Sequence, residues 1–237
     1  MLDLIGAIFG TAYYATVVGV VIALSRVRPA TALAALAAAG AWLALIVAAA
    51  ALGWTAPGAV GPIPATLLPF VGLLALGLGS WAFFAPFRQA LLSLPLAMLI
   101  ALHAWRVGGV LFLLLYRDGQ LSAPFAPVAG MGDMITGALA LVLAGMLALG
   151  VPVRRTWLVL WNAFGALDLV VAVSLGLLSA AGTPFQVFTD APGTLAMTKL
   201  PWLFVPSMIV PMLLMVHLTI AAKLGSAKAT AAVAMAG

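Results

Sequence analysis

Seven apolar runs, each close to the length that crosses a bilayer, follow one another with short gaps, and this leaves the chain few ways to fold. A transmembrane helix needs about 20 residues to span the hydrocarbon. The runs predict helices over Leu4–Ser25, Thr31–Trp54, Thr66–Ala85, Ala90–Tyr116, Met131–Gly150, Thr156–Ala180 and Trp202–Leu224. Prolines punctuate the joints. Pro29, Pro57, Pro62, Pro64, Pro86, Pro124, Pro127, Pro152, Pro184, Pro192 and Pro201 fall at or beyond the expected ends, where chain-breaking residues belong.

Only 6% of the residues are charged, against about 25% in a soluble domain. Such a chain cannot solvate a globular surface. It reads as an all-α integral membrane protein, one seven-helix bundle over residues 1–225 followed by a disordered cytoplasmic tail over 226–237. No cysteine is present, which excludes disulfides, thiolate catalysis and cysteine-ligated metal. The net charge of +5 would suit nucleic acid if it were clustered, but the positives stand singly or in pairs at the ends of apolar runs. Nucleic-acid binding is rejected on that ground.

Charge position predicts orientation. Arg26, Arg28, Arg88, Arg154, Arg155, Lys223 and Lys228 fall on one side of a seven-span bundle, Arg117 and Lys199 on the other. The positive-inside rule then puts the N-terminus outside and the C-terminus in the cytoplasm, in a multi-pass protein of a bacterial-type inner (plasma) membrane. The first run lacks the basic start and small-residue cleavage site of a signal peptide, so it reads as a retained helix. Trp54, Trp157 and Trp202 are expected at the membrane interfaces.

Small residues suggest close helix packing: Gly6 and Gly10 at GxxxG spacing, an alanine-rich second helix, and Gly72, Gly77 and Gly79 in the third. The same faces suit a homo-oligomer or a larger membrane complex within the lipid bilayer. Of the two outer connections, the one before Pro201 is about twenty residues long, a length typical of lids and surface-lying segments. Its Phe185, Phe188 and Met197 are expected on the membrane surface rather than over a cavity.

Against this background the ionisable groups inside the spans are the candidates for function. Each costs roughly 2.5–3.5 kcal/mol to insert, so each needs a partner. At 1.5 Å of rise per residue, His103 and Asp168 lie about 18–20 Å from the cytoplasmic end, Arg106 about 24 Å, Asp133 about 27 Å, and Asn162 and His217 about 10 Å. Three layers follow: an outer Arg106–Asp133 ion pair, a central His103–Asp168 pair and an inner Asn162–His217 pair. Asn162 and Asp168 are six apart, about 120° around a helix, which is the weak joint of this ladder. Tyr13 and Tyr14 sit near mid-depth and could join it. Pro206 and Pro211 should kink the last helix and free the carbonyls of Trp202 and Ser207.

Several functions suit such a ladder. Asp and His chains are the usual material of proton relays, so the leading reading is binding or translocation of protons or a small solute through His103, Arg106, Asp133, Asn162, Asp168 and His217. A haem or pigment held by His103 or His217 is an alternative, although the depth estimate separates the two by about 10 Å, too far for two ligands of one iron. An accessory subunit of a larger complex is another. An enzyme is disfavoured: no HExxH or HxxxH pair and no serine beside a histidine at matched depth is present, and no metal site is assigned. Retinal would need a lysine within a helix, and Lys199 falls in a connection. A purely structural role, with Arg106 and Asp133 fastening two helices, stands beside all of these.

Overall fold

Prolines and a few left-handed glycines decide where the helices begin and end. The computed structural model describes residues 1–25 and 27–226; Arg26, Lys228 and the tail beyond Ser226 lie outside the described residues. Helix α1 runs Leu2–Leu24, and α2 runs Pro29–Ala51 with its proline in the first turn, where a missing N–H removes no bond. Helix α2 stops at Gly53, whose φ of 75° lets Trp54 N–H reach back to the Ala49 carbonyl at 2.9 Å, a closure that only a residue without a Cβ makes freely. Gly150 closes the helix that ends at Ala148 in the same way.

Helix α3 (Leu67–Phe83) and the short α4 (Ala85–Ser93) meet at 96°. Pro86 cannot donate to the Ala82 carbonyl, and Arg88 replaces the lost donor, its Nη1 bonding Trp81 O at 2.9 Å and Ala82 O at 3.3 Å. A second break follows at Leu94, held extended by Pro95. The single helix expected over 90–116 is therefore two pieces: α4 lies across the end of α3, and the next span begins only at Leu96. That span, Leu96–Arg117, comprises α5 (Leu96–Ala101), a 3₁₀ stretch (Leu102–Gly109) and α6 (Val110–Arg117).

Helix α7 spans Phe125–Ala148, starting six residues before the expected Met131. Pro127 sits in its first turn, where backbone donors are unpaired anyway. Helix α8 spans Arg155–Leu178, and α9 spans Val210–Gly225 beyond a π turn at Val205–Ile209. Pro211 frees the Ser207 carbonyl, which Trp42 Nε1 takes at 3.1 Å. Among the described residues there are thus six helices long and apolar enough to cross a membrane, or seven if the bent α3–α4 pair counts as one span.

Helix α7 lies centrally, with the 96–117 span and α8 against it, while α9 packs on α3 and α8 and α1 lies between α2 and the π turn. Hydrogen bonds define two ends. At one, Lys223 Nζ donates to Leu92 O and Arg155 Nε to Leu224 O. At the other, the 179–204 connection is tied to everything around it: Trp202 Nε1 to Asp3, Thr55 Oγ1 to Thr198 O, and Gly193 to Ser122. Trp202 is accordingly buried over Gly6 rather than exposed at an interface, whereas Trp54 and Trp157 are exposed. Met197 is buried too and lines a cavity; Phe185 is exposed.

Candidate functional site

The site grows from the 3₁₀ stretch. In a 3₁₀ helix side chains three apart eclipse one another, so His103 and Arg106 project in line, both buried. Runs of this kind rarely exceed three or four residues; this one is eight residues long. It is held against α7 where both backbones lack side chains. A Cβ on Gly109 would meet Gly130 O at 2.5 Å, and one on Gly130 would meet Gly109 O at 2.8 Å.

That approach carries Arg106 into the middle of the bundle, where it meets three helices. Its Nε donates to Asp133 Oδ1 of α7 at 2.6 Å, and Nη2 to Asp168 Oδ2 of α8 at 2.5 Å. Its Nη1 donates to the Gly165 carbonyl at 2.9 Å and lies 3.2 Å from Nε2 of His217 on α9. A guanidinium has no lone pair to offer, so His217 accepts at Nε2. Its Nδ1 then carries the hydrogen and donates to Asn162 Oδ1 at 2.9 Å, while Asn162 Nδ2 donates to the His217 carbonyl at 3.2 Å. Asp168 has its place because α7 carries no side chain at Gly132; a Cβ there would overlap the Asp168 carboxylate.

Of the three expected layers, the outer Arg106–Asp133 pair and the inner Asn162–His217 pair are present. The central His103–Asp168 pair is not. Asp168 binds Arg106, and neither nitrogen of His103 has a hydrogen-bond partner among the described residues. The His103 ring instead lies against His217, with centroids 4.0 Å apart, and edge-on to Trp161 at 5.3 Å. The break at Leu94–Pro95 moves the start of this span from residue 90 to Leu96. Counted from Leu96, Arg155 and Leu224, residues His103, Asn162 and His217 all lie about 10 Å in. The ladder is a two-tier cluster: Arg106, Asp133 and Asp168 in one tier, and His103, Asn162 and His217 in the next, joined through Arg106 and His217. The 120° between Asn162 and Asp168 is bridged because Arg106 and His217 face Gly165, midway along that arc.

The charges do not balance. One guanidinium faces two carboxylates, and Asp133 keeps an 18% exposed side chain. Asp133 borders two cavities, one of about 60 Å³ between α1, the 3₁₀ stretch and the start of the 205–225 span, the other of about 80 Å³ between α7, α8 and Met197. Tyr13 lines the first, buried and with its hydroxyl unpartnered among the described residues. Tyr14 instead donates to Ala39 O at 2.8 Å, a helix tie. On the other side of the cluster, Leu94, Leu99, Leu158, Ile220 and Leu224 are buried in one apolar core, and Leu94 and Leu99 also line an apolar cavity of about 360 Å³.

The haem and pigment alternative does not fit these residues. Two axial histidines must face each other across a macrocycle, with nitrogens about 4 Å apart. Here the rings themselves are in contact, and both nitrogens of His217 are engaged. His103 is sealed beneath Trp161 and His217 with no open face for a large planar group.

Residues 63–224 match the model of a family described as Domain of unknown function (DUF8737). The chain belongs to this family. The match runs from just before α3 to the end of α9, so it contains the whole Arg106 cluster and leaves α1, with Tyr13, outside. Searches among curated proteins and solved structures returned no match.

Proposed function

We propose that this is a seven-span protein of the inner (plasma) membrane, N-terminus outside and C-terminus cytoplasmic, that binds protons or a small solute at the Arg106–Asp133–Asp168 cluster. The observation that carries this reading is the second carboxylate. A single pair would satisfy Arg106 and fasten two helices; two carboxylates on one guanidinium leave an excess negative charge in a low-dielectric interior. Unpaired buried charge is strongly disfavoured, and a proton or a cationic group would neutralise it. Asp133 borders both cavities at the end carrying the N-terminus, so entry is from that side. The residues beyond His217 toward the basic end are apolar, so passage of a proton across the membrane takes a rearrangement of the α9 segment around its π turn. The orientation rests on Arg28, Arg88, Arg154, Arg155 and Lys223 gathering at one end of the bundle.

The test is proton flux into liposomes containing the purified protein, followed with an entrapped pH dye. Wild type should collapse an imposed gradient faster than empty vesicles, and Asp168→Asn should not, while retaining its helical circular dichroism. Equal rates for wild type, variant and empty vesicles would remove proton handling from the reading.

A further inference from the structure

The smaller cavity has features that narrow the ligand. Its lining includes Asp133, Tyr13 and an apolar, largely aromatic wall from Phe9, Trp105, Trp202 and Phe204. Three facts decide the polarity of what fits. Arg106 has five N–H donors, and four are directed at Asp133, Asp168, Gly165 and His217. An anion would therefore find one free donor and an excess of negative charge. Asp133 bonds Arg106 through Oδ1, and its Oδ2 makes no hydrogen bond among the described residues. The Tyr13 hydroxyl, on a side chain 1% exposed, also has no partner. An acceptor-only carboxylate oxygen and a hydroxyl beside aromatic rings together suit a cation that carries N–H groups and a short hydrocarbon stem. Aromatic faces attract such cations in addition.

Resting on the reading of this cluster as a solute site, we propose that the cavity binds a small protonated primary amine. Its ammonium group donates to Asp133 Oδ2 and to the Tyr13 hydroxyl, and its stem lies among Phe9, Trp105 and Trp202. About 10–15 Å³ of such space holds one water, so a cavity of about 60 Å³ takes an amine of a few heavy atoms. Trp202, one of its lining residues, is fastened to Asp3 at 2.7 Å.

The experiment titrates the detergent-purified full chain with ethylammonium chloride, tetramethylammonium chloride and potassium chloride, reading tryptophan fluorescence and melting temperature. Ethylammonium should give a saturable change beyond that of potassium. Tyr13→Phe deletes a hydroxyl that holds no protein partner, so the fold is kept, and affinity for ethylammonium should fall about tenfold or more, as for a lost hydrogen bond to a charged group. Asp133→Asn should abolish binding. Tetramethylammonium has no N–H donor and should bind more weakly, with no response to Tyr13→Phe. An ethylammonium response equal to that of potassium, or one untouched by Tyr13→Phe, overturns the proposal. Liposome flux separates the two levels: absent amine binding with Asp168-dependent proton flux rejects the amine alone, and absence of both rejects the solute-site reading as well.

Discussion

Gly132→Ala is the sharpest test of how the cluster is built, because α7 supplies its own control. Gly145 lies on the same helix, and a Cβ there meets nothing within 4 Å. Gly145→Ala should therefore show only the backbone gain of alanine over glycine in a helix, about 1 kcal/mol of added stability. Gly132→Ala has the same backbone gain, but its methyl group occupies the space of the Asp168 carboxylate. Displacing Asp168 from Arg106 forfeits a charge-assisted hydrogen bond of about 1.5–3 kcal/mol. Overpacking adds about 1–3 kcal/mol. The net is a loss of about 3 kcal/mol, and the two variants should differ by about 4 kcal/mol. Reversible unfolding in mixed micelles, followed by far-UV circular dichroism, measures both. In an Asp168→Ala background the obstruction is gone, so Gly132→Ala should become neutral or mildly stabilising, a coupling of about 3 kcal/mol or more. If Gly132→Ala unfolds together with Gly145→Ala, and no coupling to Asp168 is found, the close approach of α7 to Asp168 is wrong.

Other variants address the remaining members. Arg106→Leu leaves two carboxylates without a counter-charge and should lose about 3–5 kcal/mol in the same unfolding assay; Arg106→Lys should recover little of it, since one ammonium cannot reach acceptors on three helices. His103→Phe removes two unpartnered polar atoms and keeps the ring packing, so stability should change by less than about 1 kcal/mol. His217→Phe strips an acceptor from Arg106 and a donor from Asn162, and should cost about 2–3 kcal/mol by thermal melting. Trp42→Phe should cost about 1–3 kcal/mol, because it exposes the Ser207 carbonyl that Pro211 leaves free.

Much of the helix layout was legible because bilayer length and proline position act locally. The polar residues were legible for the same reason: Arg106, Asp133, Asp168, Asn162 and His217 are conspicuous in apolar runs, and all five meet in one cluster. Their pairing was not. It depended on where the fourth run begins, and Pro95, overlooked among the joint-marking prolines, moves that start from residue 90 to Leu96 and shifts His103 by about a turn and a half. The 3₁₀ winding of Leu102–Gly109, which packs along α7, has no comparable local signal. The glycines of α7 and α8 show the limit differently. Gly6 and Gly10 stand at a familiar spacing and serve packing against Trp202 and Phe204. Gly132, which admits Asp168, stands in a four-residue register of small residues with Thr136, Ala140 and Ala144, a packing signal that says nothing of a carboxylate opposite. Gly165, which offers its carbonyl to Arg106, has no such register.

The interruptions and the charges belong to one arrangement. Regular helices reach a common centre with long side chains; here two of the groups on Arg106 are aspartates and a third is the Gly165 carbonyl, and such short reach needs close backbone approach. The 3₁₀ stretch stacks Arg106 over His103, glycines let α7 come within contact of that backbone, and the π turn at Val205–Ile209 precedes the segment that brings His217 beneath the pair. Fastening helices alone would require none of this, because Arg106 and Asp133 would suffice. Asp168 adds insertion cost, requires a glycine opposite it, and leaves the cluster with excess negative charge. The proposed reading gives the second carboxylate a purpose that fastening alone does not, since replacing such groups by packed apolar residues is often neutral or stabilising. A site that takes up a positive charge accounts for the second carboxylate, for the cavities that Asp133 borders, and for the unpartnered hydroxyl of Tyr13 beside it.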